Sequence, residues 1–302
     1  MRPLKVGIQL PEVERAVRWP ELRAMALAAE EVGLDSVWVG DHLLYRDPQL
    51  GPRGPWEAWS LLAALAAVTT RVEIGPLVAC TAFHNPALLA KQAATVDDLS
   101  QGRLVLGLGA GWNRVEFDAF GIPYDHRVGR FEEAFTIVRR LLAGEEVSFD
   151  GRYHRTDVAV LLPSPLRPGR LPLMIGSIGE RMLNVSLPHV QAWNAWYTWF
   201  GNSAAGYRSL RERIDAACRR VGRDPASVER SVALLVGFHD AVGRTSFERE
   251  NPISALPGDD PDATAAALRE LAADGVSHVQ LVLDPITRES IERLSPMLQR
   301  LG

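Results

Sequence analysis

The chain has 302 residues, of which 47% are hydrophobic, and its composition shows no break along its length. Its net charge is −4, and no basic run of the kind that follows a phosphate backbone occurs, so we expect no nucleic-acid partner. No apolar run approaches the roughly 18 residues of a membrane span, and Lys5 and Pro11 interrupt the place where a signal peptide would be apolar. We therefore expect a cytoplasmic protein with no membrane partner.

Short apolar strands alternate with amphipathic helices along the whole chain. Strands are predicted at 5–10, 36–40, 72–79, 104–108, 171–176, 190–195, 231–238 and 278–283. Helices are predicted at 19–33, 56–70, 86–99, 130–142, 180–187, 206–221, 262–273 and 288–298. Eight alternations of apolar strand and helix predict a closed parallel (β/α)8 TIM barrel, and a doubly wound open sheet is the second interpretation.

Three segments depart from this alternation, and we interpret them as insertions in one domain that covers residues 1–302. A polar stretch, 112–129, follows the fourth strand. Segment 145–170 contains a predicted hairpin around Asp150 and Gly151 and a proline-rich loop. After the seventh strand, His239 and Asp240 lead into segment 240–261, whose part from 243 to 261 is rich in Gly, Pro and Asp; it is either a mobile loop over the barrel mouth or a linker.

The fourth strand ends in a run of alternating glycines, Gly107, Gly109 and Gly111. Their spacing is G-x-G-x-G, whereas a dinucleotide-binding turn needs G-x-G-x-x-G, so we reject a Rossmann site. Glycine lets another group approach the backbone closely, which predicts a ligand at this strand end. A tight strand-to-loop turn would explain one or two of the three glycines without a ligand.

Polar and aromatic residues follow several of the predicted strands, where a barrel builds its active site. Asp41 and His42 come just after the second strand, and a carboxylate beside an imidazole can hold and protonate a substrate oxygen. The simpler alternative is that Asp41 caps the following turn while His42 binds a backbone carbonyl. Neither the two cysteines, Cys80 and Cys218, nor the histidines have the spacing of metal ligands, so we expect no metal.

Aromatic residues are concentrated at the end of the sixth strand, where five occur within eight residues. We expect Trp193 and Trp196 from this group, with Trp112 from the fourth strand, to contact a flat, largely apolar organic substrate. A packed lid or a dimer interface explains the same aromatics equally well.

Five segments resemble the bacterial luciferase-like flavin and deazaflavin oxidoreductases. They are VGIQLP, SVWVGDH, ACTAFHNPALLAKQAATVDDLSQGRLVLGLGAGWNRVEFDAFG, RFEEAFTIVRRLL and LMIGSIGERML. The resemblance implies a luciferase-like barrel that transfers a hydride between coenzyme F420 and an organic substrate, and it implies a homodimer. The alternative within the family is an FMN-dependent monooxygenase that uses oxygen and reduced flavin from a partner reductase. A barrel that binds a ligand without catalysis is a third possibility.

The resemblance also implies roles for particular residues. His42 and Asp41 correspond to an Asp-His pair beside the cofactor ring, with His42 as the proton donor or acceptor. A non-prolyl cis peptide is expected between Pro76 and Leu77, in a bulged strand behind the ring. The expected cofactor contacts are Asp41, Pro76, Leu77, Ala79, Leu108, Gly109 and Asn113, together with a phosphate loop of Gly176, Ser177, Ile178 and Gly179.

Overall fold

The computed structural model describes residues 2–244 and 252–302. The strands are β1 (Lys5–Gln9), β2 (Ser36–Val39), β3 (Tyr45–Asp47), β4 (Gly51–Arg53), β5 (Glu73–Pro76), β6 (Ala79–Cys80), β7 (Leu106–Gly109), β8 (Val147–Asp150), β9 (Arg155–Ala159), β10 (Leu173–Gly176), β11 (Ala192–Ala195), β12 (Glu229–Gly237), β13 (Leu256–Pro257) and β14 (Val276–Asp284). The helices are α1 (Trp19–Glu31), α2 (Ala58–Val68), α3 (Pro86–Leu99), α4 (Arg114–Phe120), α5 (Arg127–Leu142), α6 (Glu180–Ser186), α7 (Ala204–Arg220), α8 (Pro261–Ala273), α9 (Arg288–Glu292) and α10 (Ser295–Leu301).

The main sheet is parallel and closes into the predicted barrel. Its strands follow the order β5, β2, β1, β14, β12, β11, β10, β7 and β6. β5 and β6 are two halves of one broken strand, of which β5 pairs with β2 and β6 pairs with β7. A parallel bridge between Ile74 in β5 and Leu104, just before β7, closes the sheet on itself. The prediction of an eight-fold α/β barrel is therefore confirmed.

Local sequence signals explain where several helices begin. Asn85 caps α3 by accepting hydrogen bonds from the next turn, and Pro86 occupies the first helical position. Asp260 and Pro261 do the same for α8. The predicted helix 288–298 is divided into α9 and α10, and the insertion 112–129 contains α4, which the sequence analysis did not predict.

The inside of the barrel contains a buried polar network among its apolar side chains. Asn194 donates to Ser231 and Gln280 at 3.0 and 2.9 Å. Across β1, the Ser36 hydroxyl of β2 lies 2.7 Å from His278 Nε2 of β14 and accepts a hydrogen bond from the Trp38 indole. Burial lowers the pKa of His278 to about 3, so its imidazole is neutral in the core.

The broken strand contains the cis peptide, but at a different bond from the one predicted. The cis bond joins Leu77 to Val78, not Pro76 to Leu77. The reason is visible in the sheet: the Leu77 N–H still donates to the Val39 carbonyl at 2.8 Å, so regular pairing continues through Leu77 and the chain leaves it one residue later.

The insertions contain short elements of secondary structure. The predicted hairpin after α5 is present as β8 and β9, which pair antiparallel. A second hairpin, β3 with β4, follows β2 and was not predicted. The loop or linker predicted at 243–261 falls partly on residues 245–251, outside the described residues, while β13 near its end pairs with β12. Among the described residues, no helix combines the length and apolarity needed to cross a bilayer.

Candidate active site

His42 lies between two buried carboxylates at the carboxyl end of the barrel. Its Nδ1 is 2.8 Å from Glu116 Oε1, and its Nε2 is 3.2 Å from Glu12 Oε1. Glu12 follows β1 and Glu116 belongs to α4, so three separate segments converge here. The two glutamate side chains are 6% and 1% exposed, whereas the imidazole is 18% exposed and is thus reachable from the mouth.

This arrangement favours the protonated form of His42. Burial alone would lower the pKa of the imidazole, because it disfavours the charged form. The charges of Glu12 and Glu116, together with the hydrogen bond to Glu116, outweigh burial and raise the pKa of His42 above its ordinary value. The two carboxylates therefore stabilise the protonated imidazole at a partly exposed position.

Glu12 is held in place by the residues around it. It accepts hydrogen bonds from Gln9 at 2.8 Å and from the Tyr45 hydroxyl at 3.0 Å. Burial raises the pKa of Tyr45 well above its ordinary value, and the charges of Glu12 and Glu116 raise it further, so its phenol stays neutral and donates. Gly40 is needed for this packing, because a Cβ there would lie 2.7 Å from the Glu12 carboxyl carbon.

Glu116 fixes the loop that follows β2. Its second carboxylate oxygen accepts the Leu43 N–H at 2.5 Å. Asn113, just before α4, donates from its side chain to the Leu44 carbonyl at 3.0 Å. The segment after β7 and the segment after β2 are thus tied together directly beside His42.

Asp41 belongs to a second, separate network. Its buried Oδ2 accepts the Cys80 N–H at 2.8 Å. The same oxygen lies 2.8 Å from His84 Nε2. The carboxylate therefore links the end of β2 to the end of β6 and to the turn that follows. Adjacent in sequence, Asp41 and His42 direct their side chains to different partners.

The glycines of the fourth strand make room for Val78. A Cβ at Gly107 would lie 2.4 Å from the Pro76 carbonyl oxygen and 2.9 Å from a Val78 methyl. A Cβ at Gly109 would lie 2.8 Å from the second methyl of Val78. A Cβ at Gly176 would lie 3.1 Å from the same methyl that Gly107 faces. The predicted close approach is real, and the approaching group is this half-buried side chain, which presents apolar surface between β7 and β10.

The predicted aromatic residues have different surroundings. Trp112 is 65% exposed, and its ring centre lies 5.9 Å from that of His42. Trp196 is half-buried and packs on Tyr197 with ring centres 4.7 Å apart. Trp193 is fully buried, so its indole is not at the mouth; it donates to the Ser177 carbonyl at 2.7 Å and positions the loop after β10.

The predicted cofactor contacts follow the carboxyl ends of three neighbouring strands. Pro76, Leu77, Ala79, Leu108 and Gly109 are buried around the bulge at Val78. Gly176, Ser177 and Ile178 are half-exposed and Gly179 is exposed, so this loop is accessible. The Gly179 N–H donates to the Ser177 hydroxyl at 3.2 Å.

Arg244 reaches the site from the segment after β12. Its guanidinium is buried and forms ion pairs with Glu14 at 2.5 Å and Glu12 at 3.5 Å. It also lies 5.6 Å from the centre of the Trp196 ring. Burial would raise the pKa of Glu14, but the charge and hydrogen bond of Arg244 bring it below its ordinary value.

Sequence reasoning missed Glu12, Tyr45, Glu116 and Arg244. Glu12 could have been found, because it follows β1 in the same way as Asp41 follows β2. Glu116 had no comparable signal, since α4 was interpreted as irregular insertion. Arg244 lies in a segment whose sequence does not predict where its side chains point.

A family model described as luciferase-like monooxygenase matches residues 5–275. The chain belongs to the luciferase-like monooxygenase family. Among relatives, 5,10-methylenetetrahydromethanopterin reductase of Archaeoglobus fulgidus is 33% identical over 184 residues, 61% of this chain and 50% of that protein. An F420-dependent hydroxymycolic acid dehydrogenase of Mycobacterium tuberculosis is 30% identical over 251 residues, 81% of this chain and 67% of that protein. This luciferase-like chain thus spans about half to two thirds of these relatives.

Solved structures support the luciferase-like fold. An F420-dependent secondary alcohol dehydrogenase, in complex with an F420-acetone adduct, superposes with a TM-score of 0.83 over 100% of both chains at 19% identity. A monooxygenase from Streptomyces bottropensis superposes with a TM-score of 0.79 over 98% of both chains at 22% identity. At these identities the likeness establishes the fold alone.

Proposed function

We propose that this protein is an oxidoreductase that transfers a hydride between coenzyme F420 and a small organic substrate bearing a carbonyl or hydroxyl group. The observation that carries the proposal is the imidazole of His42, held between Glu12 and Glu116 and partly exposed at the barrel mouth. Two of the relatives, a reductase and an F420-dependent dehydrogenase, support the same proposal.

The residues at the mouth suit a flat ring system. Val78 offers apolar surface to such a ring. Because Gly109 and Gly176 have no side chains, only Val78 occupies the space next to their backbone. Asp41 holds β2 and β6 together beneath this surface. The accessible loop from Gly176 to Gly179 is our proposed phosphate contact. When bound, the deazaflavin would supply or accept the hydride.

His42 performs the proton transfer in this proposal. During carbonyl reduction the substrate oxygen gains negative charge, and His42 gives its proton to that oxygen; in alcohol oxidation the same nitrogen takes the proton back. Glu116 keeps the imidazole oriented through Nδ1, which leaves Nε2, beside Glu12, as the exchanging atom. Trp112 lies next to this position and is our proposed substrate contact, together with Trp196, whose ring centre lies 5.6 Å from the Arg244 guanidinium.

An FMN-dependent monooxygenase remains the second candidate, because solved monooxygenases share the fold over nearly the whole chain. In that case a partner reductase would supply reduced flavin. A homodimer, a cytoplasmic location and a single domain over residues 1–302 also remain predictions from the sequence and its resemblance.

Titration of the purified protein with F420 and with FMN, followed by fluorescence, tests the choice of cofactor. We expect F420 to bind in the micromolar range and FMN to bind more weakly. The reverse order would favour the monooxygenase, and binding of neither would refute both.

A matched pair of variants tests the role of His42. We expect His42→Asn to bind F420 as tightly as the unaltered protein but to lose turnover on alcohol or carbonyl substrates. His189→Asn, which changes an exposed histidine after α6, is the control and should keep full turnover. Unchanged turnover in His42→Asn would contradict the proposed proton transfer.

A further inference from the structure

A second cleft, of about 730 Å³, opens beside the beginning of α5. Its walls are the loop before α5, the tip of the β8–β9 hairpin and the start of α6. It is lined by Tyr124, Asp125, His126, Arg127, Val128, Gly129, Glu132, Glu133, Arg152, Tyr153 and Arg181. Its volume lies within the range of about 300–1,000 Å³ that is usual for small-molecule sites.

The acidic side chains of this cleft are already engaged. Glu133 accepts three backbone N–H groups of the hairpin, from Arg152, Tyr153 and His154, at 2.8 to 2.9 Å. Glu132 pairs with Arg181, and Asp125 pairs with Arg130. Little negative charge therefore remains to repel an anion.

Two arginines, by contrast, have no carboxylate partner among residues 2–244 and 252–302. Arg127 stacks on the ring of Tyr124, with its guanidinium carbon 3.6 Å from the ring centre. Arg152 lies 5.3 Å from the ring centre of Tyr153. A guanidinium held against an aromatic face is oriented but keeps N–H groups free for an anion, and carboxylates fit it in a bidentate manner.

Two neighbouring groups place the cleft close to the proposed cofactor site. The Tyr124 hydroxyl donates to the carbonyl of Trp112, the residue beside His42, at 3.2 Å. Arg181 follows the loop that ends at Gly179 by only two residues. A long ligand whose ring lies at Val78 and which passes this loop would reach the cleft with its far end.

We propose that this cleft binds the carboxylate-bearing tail of the deazaflavin coenzyme, with Arg127 and Arg152 pairing with tail carboxylates. The inference rests on the proposed function. Coenzyme F420 extends beyond its phosphate into a chain of glutamyl residues, whereas FMN ends at its phosphate. The cleft would thus favour F420 over FMN through a part of the molecule remote from the reacting ring.

The test compares F420 that carries several glutamates with the same coenzyme lacking them. Dissociation constants are measured by fluorescence for the unaltered protein, Arg127→Gln and Arg152→Gln. We expect each variant to bind the glutamylated form about three- to tenfold more weakly and the tail-less form with unchanged affinity. The difference should shrink at high salt, because salt screens exposed charge pairs.

Two further variants control for indirect effects. Arg155→Gln removes an arginine from the same hairpin that pairs with Asp150 and does not line the cleft, so it should change neither affinity. Arg127→Lys keeps the charge at the first residue of α5 and should recover part of the affinity for the glutamylated form.

Three outcomes would overturn the inference. Equal losses for both forms would mean that the arginines act on the part of the coenzyme that the forms share. Unchanged affinity of both arginine variants for the glutamylated form would mean that the tail does not enter the cleft. If the unaltered protein binds neither form, the proposed function fails and this inference fails with it.

Discussion

Replacing Glu116 by glutamine would test whether the carboxylate controls the proton on His42. The amide has the same shape, so its oxygen can still accept the Leu43 N–H, which leaves its NH2 group facing His42 Nδ1. Nδ1 must then become an acceptor, and the remaining imidazole proton moves to Nε2, beside Glu12. The substitution therefore changes the charge and the tautomer while it conserves the packing.

The expected size of the effect follows from replacing a charge-assisted hydrogen bond by a neutral one. The bond from His42 to Glu116 is 2.8 Å long and almost fully buried, and such charge-assisted bonds contribute about 1.5–3 kcal/mol. At about 1.4 kcal/mol for each factor of ten, the rate of proton-coupled turnover should fall about 10- to 150-fold.

The direction of the change can be measured without a substrate. The imidazole signals of His42 are followed by NMR as a function of pH in the unaltered protein and in Glu116→Gln. Burial remains while one of the two negative charges is removed, so we expect the pKa of His42 to fall. Asp118→Asn, which changes an exposed carboxylate on the same helix, should leave the titration unchanged.

The same substitution should alter the dependence of stability on pH. Because the folded-state pKa of His42 is raised, its contribution to stability is complete below the unfolded-state value and is lost as pH rises through the folded-state value. In Glu116→Gln, the loss of stability between these two pKa values should be smaller. If His42 titrates at the same pH in both proteins, the carboxylate does not control its proton and the reasoning is wrong.

Three further predictions concern the scaffold. The pKa of His278 is lowered to about 3, so the free energy of unfolding should decrease as pH falls from 6.5 toward 3, by up to about 1.4 kcal/mol for each pH unit. In urea unfolding at several pH values, His278→Asn should make this decrease smaller. A Cβ at Gly75 would lie 2.3 Å from a backbone oxygen, so Gly75→Ala should lower the melting temperature by several degrees, whereas Gly179→Ala, with its nearest neighbour at 3.7 Å, should not. Burial raises the pKa of Cys80, so a thiol reagent should label it only after unfolding; labelling of the native protein would contradict its burial.

The fold could be predicted from the sequence because its signals are local and repeated. Each short apolar run is followed by an amphipathic helix, and capping residues such as Asn85 mark where helices begin. Closure of the barrel then follows from the number of alternations. The failures occurred where tertiary contacts decide: the helix α4 depends on burying Glu116 and Phe117, which composition does not reveal.

Only some residues of the candidate site could be predicted, again because tertiary contacts decide the rest. His42 was found because it follows a strand, and strand ends meet at one edge of the barrel. Its partners come from chain positions 30 residues before and 74 residues after it, and nothing in the local sequence pairs them. The predicted cis peptide lay in the right bulge but one bond too early, because the resemblance located the segment and only the pairing of Leu77 with β2 determined the bond.

The packing of Val78 against Gly107, Gly109 and Gly176 limits how this protein can be altered. A Cβ at Gly107 would collide with the Pro76 carbonyl oxygen and one at Gly109 with Val78, whereas one at Gly176 would crowd Val78 at 3.1 Å, so single changes at these positions should be tolerated less well than combined changes. Cofactor redesign by stepwise mutation should therefore leave these four positions alone. Libraries that aim to change specificity are better directed to the accessible residues 177–179 and to Trp112, where side chains can be exchanged one at a time.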